Sequence, residues 1–376
     1  MRSDSVKIHV WLCVLSGLFR FTMSFDESTI IIPDPARLAR EINSAQNSWV
    51  AQDYYGRPVT FGDVQELIST NIPRHKLSKI GLSIEYGPDT EASPDARPTS
   101  NIEKIYDPEF HDIMPNVPRN FDLRRFYPYC KSLNTIRDQS MCGSCWAVSA
   151  ASVLSDRLCI ASEGKVNVFI SAESLVTCCK SCGNGCNGGN PVKTFKHFTE
   201  NGEITGGDYG SEIGCKPYSI PPRKNTATVN INSAEAKKCE TKCTNPKYPI
   251  PFEKETRYKT KNYYSFTDRN TTKIQWDLML NGPQVGAFIV YSDFLLYSKG
   301  VYRHTKGISL GGHGVRLIGW GQEKGVDYWL ATNSWGTDWG QKGLFKLRRG
   351  ANECLLEEWI VAGEADLTNI HDSPTT

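Results

Sequence analysis

The 376-residue chain is long enough for one large domain or two modest ones, and it can bury a proper core. Its formal net charge is +2, and Lys and Arg are scattered rather than gathered into a stripe, so charge gives no reason to expect a nucleic-acid or acidic partner. Beyond the N-terminus no apolar run approaches the ~18 residues of a membrane span.

Arg2 and Lys7 precede the apolar run VWLCVLSGLF at 10–19, which is too short to cross a bilayer. A basic start followed by such a stretch predicts a secretory signal peptide over 1–24, with Thr22 and Ser24 as a small-x-small cleavage site. A buried core helix is the alternative. Export suits the thirteen cysteines. Cys13 leaves with the signal, eleven lie between Cys130 and Cys243, and none falls in 25–116.

Residues 25–116 are polar and rich in Pro and Asp. Leu38, Ile42, Ala45 and Trp49 recur at helical spacing behind an Asp34-Pro35 start, which predicts one amphipathic helix running to Trp49. The loose stretch GPDTEASPDARPTS at 87–100 follows, so the whole reads as a linker-bearing accessory segment or one removed later. From Val117 the texture changes. CWAVSAASVLSDRLCIA at 145–161 predicts a helix, while VGAFIVY, GVRLIGWG and DYWLATNSW predict strands. Helix first and strands later indicate an α+β body with two halves.

Residues 139–147 read QSMCGSCWA. Cys142 and Cys145 fit three chemistries. A redox couple wants a βαβ setting, yet the preceding IRDQSM lacks a buried strand pattern. A zinc site would need a second half from Cys178, Cys179, Cys182 and Cys186, where an exported chain favours disulfides. The third chemistry is a thiol nucleophile. Cys145 would begin a helix, where unpaired N–H groups and the helix dipole favour a thiolate. The twelve remaining cysteines could form six disulfides; if one is a nucleophile a second must also stay unbonded, and the isolated Cys354 is the natural spare.

A thiolate also wants a cationic partner. Of seven histidines, His197 falls in the helix-like VKTFKHFTE and His304 at a strand end, whereas His313 lies in GGHG ahead of an apolar strand. Twenty residues on, Asn333 in ATNSWG could hold the imidazole tautomer, with Trp335 sheltering that bond.

A cysteine in C-G-S-C-W with His and Asn far downstream is the local signature of papain-like proteases. VPRNFDLR, IRDQSMCGSCWA, SAESLVTCC, GCNGGNP, GCKPYSIPP, NGPQVGAFIVYSDFLLY and NSWGTDWG resemble the cathepsin B-like members of that family over nearly the whole chain after the signal. The resemblance implies a papain-like two-domain fold, with a helical left half and a β-barrel-like right half, behind an N-terminal inhibitory propeptide. It divides the chain into signal (1–24), propeptide (25–116), peptidase domain (117–366) and polar tail (367–376). It implies Cys145 as nucleophile, His313 as general acid/base, Asn333 as its orienter and Gln139 as oxyanion donor. Substrate would meet Gly188, Gly189, Ala287, Gly314, Trp335 and Trp359. The implied disulfides are Cys130–Cys159, Cys142–Cys186, Cys178–Cys239, Cys179–Cys182 and Cys215–Cys243.

No cofactor or metal is implied. Expected partners are protein or peptide substrates, the chain's own propeptide and cystatin-type inhibitors, with the enzyme a monomer of the lysosome or extracellular space. The sequon Asn270-Thr271-Thr272 is a candidate glycosylation site. A non-catalytic relative using the fold as a scaffold is the competing reading.

Three departures bear on specificity. The segment 221–239, where the family carries paired histidines on a cross-linked insertion, has no histidine, and Arg223 replaces its first cysteine. This predicts weak dipeptidyl carboxypeptidase action, although Arg223 and Lys224 could still attract a carboxylate. Trp359 stands where the family has an acidic floor to the P2 pocket, with Gly314 for a usual alanine and Leu355 for a usual glycine, which predicts apolar P2 over arginine. Ser140 replaces a usual glycine, at a cost if that position needs positive φ.

Overall fold

The computed structural model describes residues 28–65, 67–68, 116–222, 238–368 and 370, with backbone alone for 6–14, 17–25 and 82–84. The segment 223–237, with Arg223 and Lys224, lies outside the described residues, as do 85–115 and 371–376. Strands β1 (Val6–Val14) and β2 (Gly17–Phe25) pair antiparallel.

After β3 (Ile30–Ile32) comes helix α1 (Pro35–Ala45). Asp34 caps it by accepting the Arg37 N–H at 2.7 Å, and Pro35 occupies the first turn, where its missing N–H costs nothing. The helix does not reach Trp49. Gln46 is extended (φ −156°, ψ 166°), and its side-chain oxygen accepts the backbone N–H groups of Ser48 and Trp49. That turn delivers Trp49 into strand β4 (Trp49–Ala51), so its helical spacing was coincidental. β5 (Val59–Thr60), which pairs β3, leads into α2 (Phe61–Gln65), and β6 (Leu82–Ile84) pairs β1.

The second half opens with β7 (Phe121–Asp122) and α3 (Leu123–Phe126). Three helices then form the left half: α4 (Cys145–Ala161), α5 (Ala172–Cys178) and α6 (Pro191–Glu200). Helix α4 is buried from Cys145 to Ile160, which is why its apolar residues follow no single face. Ser149, Ser152 and Ser155 lie inside it because each hydroxyl donates to the carbonyl four residues back.

The right half follows β8 (Lys259–Thr260), β9 (Tyr264–Phe266) and α7 (Thr271–Asn281). It consists of β10 (Gln284–Tyr291), β11 (Tyr297–Tyr302), β12 (Ser309–Glu323), β13 (Val326–Thr332), β14 (Leu344–Arg348) and β15 (Ile360–Ala362). β16 (Ala365–Asp366) closes against β8. The main sheet runs β4-β11-β14-β13-β12-β10-β15-β9, with β7 beside β12. Its path does not close among the described residues, so the barrel-like half is an open sheet. β4 completes one end, and Ile32, Ala39, Ile42 and Trp49 join the same core as Phe288, Phe294 and Trp329.

Five disulfides pair Cys130–Cys159, Cys142–Cys186, Cys178–Cys239, Cys179–Cys182 and Cys215–Cys243. Cys145 and Cys354 stand outside them. Cys142 bonded to Cys186 disposes of the Cys142–Cys145 redox couple. The four cysteines of the zinc alternative are likewise bonded, and His197 near Cys179 and Cys182 therefore meets no thiolate.

Candidate functional site

Cys145 is the first residue of α4 and is fully buried. Its helix start has no side-chain cap, because the Ser144 hydroxyl turns away to the Tyr218 hydroxyl at 2.7 Å. Trp146 packs directly behind. A Cβ added at Gly189 would fall 2.4 Å from the Trp146 ring, so that glycine is required by close approach. Gly188 beside it holds φ 107° while its carbonyl accepts the Asn184 N–H at 2.7 Å.

His313 sits on β12 opposite Phe288 of β10 and is also fully buried. Its Nε2 lies 2.8 Å from Asn333 Oδ1. Asn333 follows β13, and its backbone N–H is held by Gly343 O at 2.8 Å. The amide oxygen is an acceptor only, so it fixes the tautomer with Nε2 protonated. Trp335 lies against the ring with centroids 4.8 Å apart. Among the described residues His313 Nδ1 has no hydrogen-bond partner, which leaves that nitrogen for proton exchange.

Gln139 is fixed from three sides. Its Oε1 accepts the Ser334 hydroxyl at 2.6 Å, its Nε2 donates to Cys142 O at 2.9 Å, and its backbone N–H donates to Ser334 O at 2.9 Å. Nε2 also lies 3.4 Å from Leu67 O, an oxygen that Trp335 Nε1 approaches at the same distance. Leu67 and Ile68 are both buried, so the accessory segment passes directly over this group. Neither Ser334 nor Leu67 stood out in sequence, where nothing local marks a contact with Gln139.

Ala287, Ile289 and Trp359 form a separate buried cluster, with Tyr291, Cys354 and Leu355 against it. Ala287 pairs in register with Gly314 and donates its N–H to Trp359 O at 2.9 Å. Leu355 adopts φ 67° and Cys354 φ 53°, so the apolar wall rests on left-handed backbone. Burial, together with the Glu353 and Asp293 carboxylates, pushes the Cys354 thiol well above its ordinary range. This is the opposite of what a nucleophile requires.

Ser140 has φ 57°, the left-handed region that favours glycine. Its hydroxyl donates to Pro221 O, and its N–H to Asp138 Oδ1 at 2.7 Å. Asn270 is exposed and caps α7, its side-chain oxygen accepting the Lys273 N–H at 3.0 Å. His304 stacks on Tyr291 with its Nδ1 3.2 Å from Asp293.

Residues 117–363 match the papain family cysteine protease profile. The chain is 40% identical over 336 residues to cathepsin B-like cysteine proteinase 5 of Caenorhabditis elegans, covering 87% of this chain and 89% of that protein. It is 41% identical over 280 residues to a cathepsin B-like cysteine proteinase of Schistosoma japonicum, covering 73% and 79% of the two. Among solved structures, procathepsin B S9 from Trypanosoma congolense superposes with a TM-score of 0.69 at 31% identity, covering 88% of this chain and 98% of that one.

Proposed function

This chain belongs to the papain family of cysteine proteases, on its cathepsin B-like side, and from that premise we propose an endopeptidase made as a zymogen, with Cys145 as its nucleophile. The Cys145 thiolate attacks the peptide carbonyl carbon, and the electron pair moves onto oxygen. Gln139 Nε2–H and the Cys145 backbone N–H receive that charge, and each such donor is worth about 2.7–4 kcal/mol. Collapse breaks the C–N bond as the His313 imidazolium gives its proton to the departing amine. His313 then takes a proton from water, whose oxygen bonds to the thioester carbonyl carbon; the C–S bond breaks, the carboxylic acid product leaves and the Cys145 thiolate is restored. Asn333 keeps the ring in its productive tautomer throughout.

The observation that carries this reading is the His313–Asn333 bond of 2.8 Å beside an Nδ1 with no hydrogen-bond partner among the described residues. An epoxysuccinyl inhibitor tests it. After prosegment removal, mass spectrometry finds the label on Cys145; label on Cys354 alone, or none, overturns the assignment.

Residues 1–24 act as signal and 25–116 as inhibitory propeptide, released in the secretory or lysosomal route to leave a monomeric domain from about Val117. Support for the inhibitory role comes from Leu67 O, which lies 3.4 Å from both Gln139 Nε2 and Trp335 Nε1. Asn270 is exposed for glycosylation, and cystatin-type inhibitors would enter the same cleft. Gly188 and Gly189 bind extended substrate by backbone. Ala287, Gly314 and Trp359 line the P2 pocket, favouring apolar side chains, and dipeptidyl carboxypeptidase action is weak because 221–239 holds no histidine.

A further inference from the structure

The accessory segment is anchored far in sequence from the residues that cover the cleft. β4 adds to β11 as an edge strand, with Trp49 opposite Gly300 and Ala51 opposite Tyr297. Val301 N–H donates to Ser48 O and Gln52 N–H to Leu296 O, both at 2.7 Å. The Trp49 indole is 2% exposed, 5.0 Å from the Tyr302 ring and 6.2 Å from that of Tyr297, and its Nε1–H donates to Thr305 Oγ1 at 3.3 Å. Gly300 is shaped for this guest, because a Cβ there would lie 2.4 Å from Ser48 O. Ala51 is buried, whereas Val50 between them faces outward.

Removing the segment uncovers both a strand edge and an aromatic pocket on the right half. An unpaired edge presents backbone groups that a passing extended chain can satisfy, while the pocket supplies the selectivity. The exposed cations Lys299, Arg303 and Lys306 rim it, and Lys306 pairs Glu41 upstream of β4.

We propose that the vacated β11 edge is a second binding site for protein substrates, taking an extended segment of the type Trp-x-small as an added strand, with acidic residues favoured ahead of the tryptophan. This rests on the reading that residues before Val117 are released. The chain's own path sets the reach, running from Ala51 at this edge to Leu67 at Gln139. A substrate held at both places must therefore be long, and a dipeptide reporter cannot use the second site.

The test uses the full chain carrying Cys145→Ala and an inserted cleavage site for an added protease between residues 90 and 115. The chain is cut, the prosegment is washed away at acid pH, and retention of fold is checked by circular dichroism. A fluorescein-labelled peptide of residues 46–53 is then titrated in. Saturable binding is expected, weakened about thirtyfold by Trp49→Ala in the peptide, the loss typical of a buried tryptophan anchor. N-methylation at Gln52 weakens it about fivefold by removing one main-chain bond, while Val50→Ser leaves it unchanged. In the cut chain retaining Cys145, the unlabelled peptide slows cleavage of a denatured tryptophan-rich protein and leaves dipeptide turnover unaltered. Absent binding, binding indifferent to Trp49→Ala, or equal slowing of both substrates overturns the proposal. If neither substrate is cleaved, the peptidase reading fails, and the titration still decides the second site.

Discussion

Arg316 on β12 donates to Asp156 on α4 at 2.7 Å, and both side chains are buried. His313 shares the strand of the first and Cys145 the helix of the second, so this pair ties together the two elements that carry them. The guanidinium is otherwise used on Thr332 Oγ1 and the carbonyls of Ser132 and Thr135. Removing one partner of a buried pair leaves an uncompensated charge and costs about 3–5 kcal/mol. Asp156→Asn therefore lowers the melting temperature sharply and reduces kcat more than it raises KM. Calorimetry and steady-state kinetics on the activated variant check this, and an unchanged melting temperature would refute it.

Ser140 separates two small terms. Ser140→Ala keeps the left-handed strain and loses the bond to Pro221 O, while Ser140→Gly loses the bond and relieves strain worth about 1–2 kcal/mol. The expected order of stability places alanine lowest, with glycine close to the native protein. Urea unfolding of all three measures it, and alanine equal to glycine would remove the strain argument.

Trp359 packs with Ala287 and Ile289 in an apolar cluster against which Leu355 lies. The native enzyme should turn over a Phe-Arg reporter faster than an Arg-Arg one. Trp359→Glu supplies a charge that attracts a P2 guanidinium and moves the ratio toward Arg-Arg by about tenfold or more. Parallel kcat/KM values decide the matter, and a native preference for Arg-Arg contradicts the pocket assignment.

If residues before Val117 are released as proposed, two of their carboxylates predict that release is favoured by acid. Burial alone would raise the Asp63 carboxyl, but hydrogen bonds from Arg57 and from the Thr60 N–H and hydroxyl hold it below its usual range. These partners all lie in the accessory segment, so the depressed carboxylate stabilises that segment's folded form above its unfolded pKa, and that contribution disappears as pH falls through the folded pKa. Glu41, bonded to Lys306 and Arg37, is lowered in the same direction across the boundary. Asp63→Asn should give activity at higher pH and a flatter onset curve. Identical onset in the variant would rule Asp63 out.

The short-range features were legible. Cys145, Trp146 and the helix behind them lie in one uninterrupted stretch, and the His313 and Asn333 neighbourhoods are marked by glycine and aromatic residues. Trp49 misled because its spacing continues α1, whereas Gln46 bends the chain and the waiting tyrosines of β11 decide its place. The Arg316–Asp156 and Ser334–Gln139 contacts join residues distant in sequence, and Asp63 needs Arg57 beside it before it means anything. Ser140 was legible only as a condition, since a single residue type does not reveal its own φ.

The sharing of one core by α1, β4 and the right-half strands has a consequence for lifetime. Ile42 and Trp49 are wholly interior, so the proposed release of residues 25–116 would remove part of the core that the right-half strands share. A molecule so processed would then have to refold without those contacts. On that reading its endurance would be set by how slowly it opens rather than by equilibrium with the unfolded chain.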